Sequence, residues 1–131
     1  MSFRIISQQS EYAECFEAPR KDKKYLAWLH ELPCVVTGRE GEGIHAAHLR
    51  AGNLAYGKPQ SGGQQKPDDY WCLPLWHVEH MQHQHSMNEE DYWSLRGIDP
   101  HALCCALRMA YPNTDKARVI IKHARHTRKA A

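Results

Sequence analysis

The sequence predicts an α+β domain with a little strand near its centre and helices on both sides, and three observations carry that prediction. Two short segments, "CVVTG" and "IHAAHLRA", are rich in apolar and β-branched residues and are separated by the Gly-rich turn "REGEG", the pattern of short strands. The second half holds amphipathic segments with explicit start and stop residues, which predict helices. Between the halves lies the histidine-dense stretch "WHVEHMQHQHS", with His77, His80, His83 and His85. Clustered imidazoles add little to a surface helix, so this stretch reads as a metal site, a proton-transfer site or a polar run of no consequence.

The elements follow in order. Residues 1–22 are polar and charged and predict an irregular segment, apart from a short helix near Tyr12–Phe16. "KDKKYLAWLHELP" has apolar residues at Tyr25, Leu26, Trp28, Leu29 and Leu32, one face of a helix stopped by Pro33. "CVVTG" predicts a strand entering a turn. "IHAAHLRA" predicts a second strand, on which alternation sends His45 and His48 to opposite faces. "GNLAYGKPQSGGQQKPDD" is a long loop, and long loops inside compact domains are often functional. "YWCLPL" predicts an extended segment. "MNEEDYWSLRG" predicts a helix capped by Ser86 or Asn88 and ended at Gly97. "DPHALCCALRMAYP" predicts another, with Asp99 as cap, Pro100 at its first position and Leu103, Ala106, Leu107 and Ala110 facing the core. "DKARVIIKHARHTRK" predicts the last helix. This gives an N-terminal segment 1–22, a core domain 23–113, and a basic helix or tail 114–131 packed on that domain or extending from it.

Composition narrows the function classes. The chain of 131 residues has the size of one domain. No stretch has the length and apolar character of a membrane span or signal peptide. Five cysteines without C-x-x-C spacing argue against a disulfide framework and a four-cysteine zinc site, and for a reducing, cytoplasmic setting. The net charge of +2 conceals an asymmetry: from Thr114 onward there are six Lys and Arg against the single acid Asp115. A basic tail on a mildly acidic body suits a polyanion.

Taken together, "LPCVVTG", "AAHLR", "GKP", "KPDD", "LPL", "EHM", "QHSMNE", "YW" and "RGIDP" resemble, in order and spacing, the HNH or ββα-metal nucleases, specifically the phage and prophage proteins related to the RecA-dependent recombination-enhancement nuclease. The resemblance covers about residues 25–110. It implies a ββα-metal core with flanking helices and a metal-dependent DNA endonuclease or nickase. It implies His48 as general base and Asp69, with Asp68, as the loop carboxylates. His80 and His85 become the metal-side residues, with Mg2+ or Mn2+ as the ion and Zn2+ as the alternative. It implies DNA as partner, and a recombinase filament as a further one. The chemistry is consistent with such a site. A phosphodiester needs charge neutralisation at its oxygens and a group that takes a proton from water near neutral pH.

Two departures from that pattern are visible. Cys34 is followed by Thr37 where relatives carry a second cysteine, and "PL" is followed by Trp76 and His77. A complete zinc knuckle is absent, so Trp28, Trp71, Trp76 and Trp93 are expected to hold the core. Further, His80 and His85 are five apart, roughly 140° around a regular helix. A π-bulge, a helix end at Gln84, or His83 in place of His85 would each reconcile this. Arg50, Lys66, Lys122 and Arg125 are the candidate phosphate contacts. His45, His101, His123 and His126 read as structural or surface groups, and His30 as the end of the first helix. The rival readings are a catalytically inactive HNH-like module that binds DNA or a protein, and a zinc-binding regulator using Cys34, His77 and His80.

Overall fold

A computed structural model describes residues 21–56, 58, 68–81 and 87–130. Helix α1 spans Lys23–His30, strand β1 Ile44–His48, β2 Cys72–Trp76, α2 His77–Met81, α3 Glu89–Arg96, α4 Pro100–Ala110 and α5 Thr114–Ala130, with a 3-10 turn at Leu54–Tyr56. The domain is of mixed α and β type, as its sequence pattern predicts. None of its described helices is long and apolar enough to cross a membrane. The predicted helix near Tyr12–Phe16 and the loop residue Lys66 lie outside the described residues, as do His83 and His85.

β1 and β2 form an antiparallel ribbon in which Ile44 faces Trp76 and His48 faces Cys72. Pro74 sits in the middle of β2, opposite Ala46. Both strands of a two-stranded sheet are edges, so the missing N–H of a proline is tolerated there. β2 runs directly into α2, whose first N–H donates to the Gly43 carbonyl at 2.8 Å. The order is therefore strand, strand, helix, with α2 packed on both strands.

The helix ends follow local chemistry. Asp22 caps α1 by accepting from the Tyr25 N–H. Asn88 caps α3 by accepting from Glu90 and Asp91, and Gly97 closes it at φ 66°, a left-handed conformation that glycine adopts without steric cost. Asp99 caps α4, with Pro100 opening the helix. α5 packs against α4 through buried Ala117 and Ile121.

The core gathers Leu29, Leu32, Val35, Leu73, Leu75, Tyr92, Leu107 and Ile121. Three of the four expected tryptophans, Trp28, Trp71 and Trp93, are buried in it. Trp76 is half-buried, with the Arg39 guanidinium 3.8 Å above its ring. Tyr111 packs edge-on against both Tyr25 and Trp28. The Trp28 indole N–H donates to the Thr114 hydroxyl at 3.1 Å, joining α1 to the start of α5.

One predicted strand is a turn. "CVVTG" folds back on itself: the Gly38 N–H donates to the Cys34 carbonyl, and the Cys34 N–H to the Arg39 carbonyl. The Cys34 sulfur accepts from the Thr37 N–H at 3.4 Å, and Gly38 has φ 79°. Val35 and Val36 are buried, and the Val35 N–H reaches sideways to the Pro74 carbonyl of β2. The valines satisfy their burial without a ladder, which is why their β pattern does not produce a strand.

Candidate active site

His48 ends β1, and its imidazole Nε2 lies 2.9 Å from Asp69 Oδ1. Asp69 is buried in the turn that precedes β2. Its other oxygen, Oδ2, accepts the Asp22 backbone N–H at 2.9 Å. The start of α1 thus pins the carboxylate, and the carboxylate pins the histidine. Neighbouring Asp68 has a local role: its Oδ1 accepts from the Tyr70 N–H, the turn chemistry expected after Pro67.

Burial acts to raise the Asp69 carboxyl pKa. The hydrogen bonds from His48 and Asp22, with the charges of His48 and Lys21, outweigh it and hold the group below the usual aspartate range. An ionised Asp69 accepts only, so the neutral His48 ring carries its proton at Nε2 and its lone pair at Nδ1. His48 keeps 26% of its side-chain surface open against 5% for Asp69. A buried carboxylate behind a part-exposed imidazole is an arrangement that orients a general base and stabilises its protonated form.

His80 has a different neighbour. Its Nδ1 lies 2.9 Å from Nδ1 of His45, with the rings close to perpendicular. His45, read from the sequence as structural or surface, is an exposed residue of β1 that faces α2. No hydrogen bond or ring contact joins His48 to His80 among the described residues. The two histidine pairs leave β1 three residues apart, on opposite faces by strand alternation. Their α-carbons are about 10 Å apart along the strand. Among the described residues no group of three His, Cys, Asp or Glu side chains is placed to hold a metal. That includes Cys34, His77 and His80.

Beyond His48 the chain turns sharply, and Glu89 at the start of α3 holds the turn. Its carboxylate accepts from the Arg50 N–H at 3.0 Å and from the Ala51 N–H at about 3.3 Å. Lys58 is buried here, and its ammonium donates to the Arg50 carbonyl at 3.3 Å. Burial lowers the Lys58 pKa, opposed by the charges of Glu89 and Asp68. A groove of about 430 Å³ follows, lined by Arg50, Asn53, Glu89, Glu90, Asp99 and His101 among others. His101 is buried and bonded through Nε2 to the Ala51 carbonyl at 2.8 Å, a structural role as its sequence context predicts.

The candidate phosphate contacts divide. The Arg50 side chain is exposed, and so is Lys122 on α5. The Arg125 guanidinium instead covers Gly38, 2.5 Å from where a Cβ would stand. Arg118 pairs with Glu40. Sequence reasoning missed Asp22 and His45: a backbone donor leaves no trace in a residue pattern, and His45 gains meaning only once α2 lies across β1.

Comparison with protein-family models, with curated proteins and with solved structures finds no match to this chain.

Proposed function

We propose that this chain is a metal-dependent DNA endonuclease or nickase of the HNH, ββα-metal, type, related to phage recombination proteins and working in the cytoplasm. The observation that carries the reading is the His48–Asp69 pair, a part-exposed imidazole held by a buried, ionised carboxylate. It stands at the end of the first strand of a strand–strand–helix unit whose helix begins a histidine cluster.

In this reading His48 takes the proton of the attacking water at Nδ1, and Asp69 stabilises the imidazolium that results. The helix histidines, His80 with His85 or His83, hold Mg2+ or Mn2+, with Zn2+ as the alternative. The nearness of a second imidazole, that of His45 at 2.9 Å from His80, supports imidazole ligation at this end of the ribbon. When bound, such an ion would supply charge neutralisation at the phosphate and at the departing oxygen. Arg50 and Lys122 contact the DNA backbone, which predicts weak sequence preference and strong salt dependence. A recombinase filament is the proposed further partner.

Conversion of supercoiled plasmid to nicked circle in Mg2+ or Mn2+ tests the proposal. His48→Ala is expected to slow it by about 10²–10⁴-fold, the usual contribution of a general base. Equal activity in both proteins, or none with any divalent ion, removes the enzyme reading.

A second reading has its own observation. His48 and His80 have different partners on different faces of β1. That arrangement favours a catalytically inactive module that binds DNA or a protein. It predicts salt-dependent DNA binding that His48→Ala leaves unchanged, with no cleavage.

A further inference from the structure

We infer that His45 and His80 together bind a divalent transition-metal ion, a borderline-soft cation such as Zn2+, through their Nδ1 atoms. The nuclease reading places an ion on the helix; this inference names the strand residue that shares it and does not depend on DNA cleavage.

The geometry supports two ligands on one ion. The Nδ1 atoms are 2.9 Å apart, and the ring centres are 5.1 Å apart at 84°. A tetrahedral zinc bonded to two imidazoles at about 2.0–2.1 Å spaces the nitrogens by about 3.4 Å and the ring centres by about 5.2 Å. The rings already stand at that spacing. The nitrogens now point at one another, and turning each ring by roughly 35°, with the nitrogens moving about half an ångström further apart, makes both lone pairs meet at one ion, a side-chain rotation that needs no backbone movement. His45 is an exposed residue on β1, so its ring can turn without disturbing the core.

A hydrogen bond alone is a weaker account of the pair. Two neutral imidazoles bond only when one presents N–H and the other a lone pair. At an exposed position such a bond contributes about 0.5–1.5 kcal/mol at most. An ion takes both lone pairs and leaves each ring its Nε2 proton. It also joins β1 to α2, a helix with no buried residues of its own. Imidazole nitrogen suits Zn2+, Co2+, Ni2+ and Cu2+ better than it suits Mg2+. With two protein ligands, water fills the remaining positions, so micromolar rather than nanomolar affinity is expected.

Isothermal titration of the full chain with Zn2+, in the absence of DNA, tests the inference. The parent protein is expected to bind one equivalent. His45→Ala and His80→Ala are each expected to weaken that site at least about tenfold, because even an outer hydrogen-bond partner of a ligand changes affinity by about 10–100-fold. His48→Ala is expected to bind as the parent does. Should His45→Ala lose its circular-dichroism spectrum, His45→Gln replaces it as a substitution that keeps polarity but is a poor zinc ligand. Binding unaltered in both His45 variants overturns the inference, as does no binding by the parent at millimolar Zn2+. A chain that binds Zn2+ through His45 yet never cuts DNA upholds it while removing the nuclease reading.

Discussion

Asp69 is held by two donors, one from His48 and one from the Asp22 backbone. Asp69→Asn keeps the shape but turns two bonds to a charged group into neutral ones: its oxygen accepts the Asp22 N–H, and its amide donates to Nε2 of His48 once the ring proton moves to Nδ1. A loss of about 1–3 kcal/mol in urea unfolding at pH 7 is expected. In the proposed enzyme, the same change puts the ring proton on Nδ1, where the base needs its lone pair, so cleavage should fall by about 10²–10⁴-fold, as on removal of the base itself. The pH dependence has a definite sign. The folded carboxyl is depressed below its ordinary value, so the unfolded chain binds the proton more readily. The stabilisation is complete above the ordinary aspartate range, about pH 4, and is lost as pH falls through the lower folded value. Unfolding of the parent and Asp69→Asn should therefore converge once the pH falls below the depressed folded value of Asp69. A gap that persists there contradicts an ionised Asp69. His48 and Asp69 were both legible as residues, since "AAHLR" and "KPDD" carry them in order. Their bond, and the Asp22 N–H behind it, were not, because 47 residues separate that donor from its acceptor.

Helix ends were the most legible elements. Asn88, Gly97, Asp99 and Pro100 each stand where the pattern of caps places them. Asn88→Ala is expected to cost about 1 kcal/mol in thermal or urea unfolding. The turn of residues 34–38 was illegible for the opposite reason: two valines suggest a ladder, but their backbone bonds close locally and reach Pro74 sideways. Glu89 shows how one element sets another. Its carboxylate holds the N–H groups of Arg50 and Ala51, so Glu89→Ala should speed amide hydrogen exchange at those two positions while Leu73 and Leu75 in β2 keep their protection. Unchanged exchange at Arg50 and Ala51 would mean that the turn after His48 holds itself.

Across the whole molecule, one core ties the site together. α4 packs on β2 and α5 packs on α4, and Leu107 of α4 lies fully buried in the core. Leu107→Ala is expected to cost about 2–5 kcal/mol, from lost burial and the cavity left behind. The charge asymmetry of the chain survives folding, since α5 keeps Lys116 and Lys122 exposed. Lys122→Ala should weaken DNA binding similarly for all sequences and reduce the slope of log K against log salt by about 1. Binding that ignores salt would exclude α5 as a backbone contact. The sequence alone could order the histidines but not pair them: which imidazole meets which depends on α2 lying across β1, a tertiary fact.

The central claim is that His48, oriented by Asp69, is the proton acceptor for cutting DNA. Its most direct test is the rate of nicked-circle formation by His48→Ala beside the parent in Mn2+, with DNA affinity measured on the same preparations. The account predicts equal affinity and a rate lower by at least about 10². Parental cleavage by the variant would contradict it.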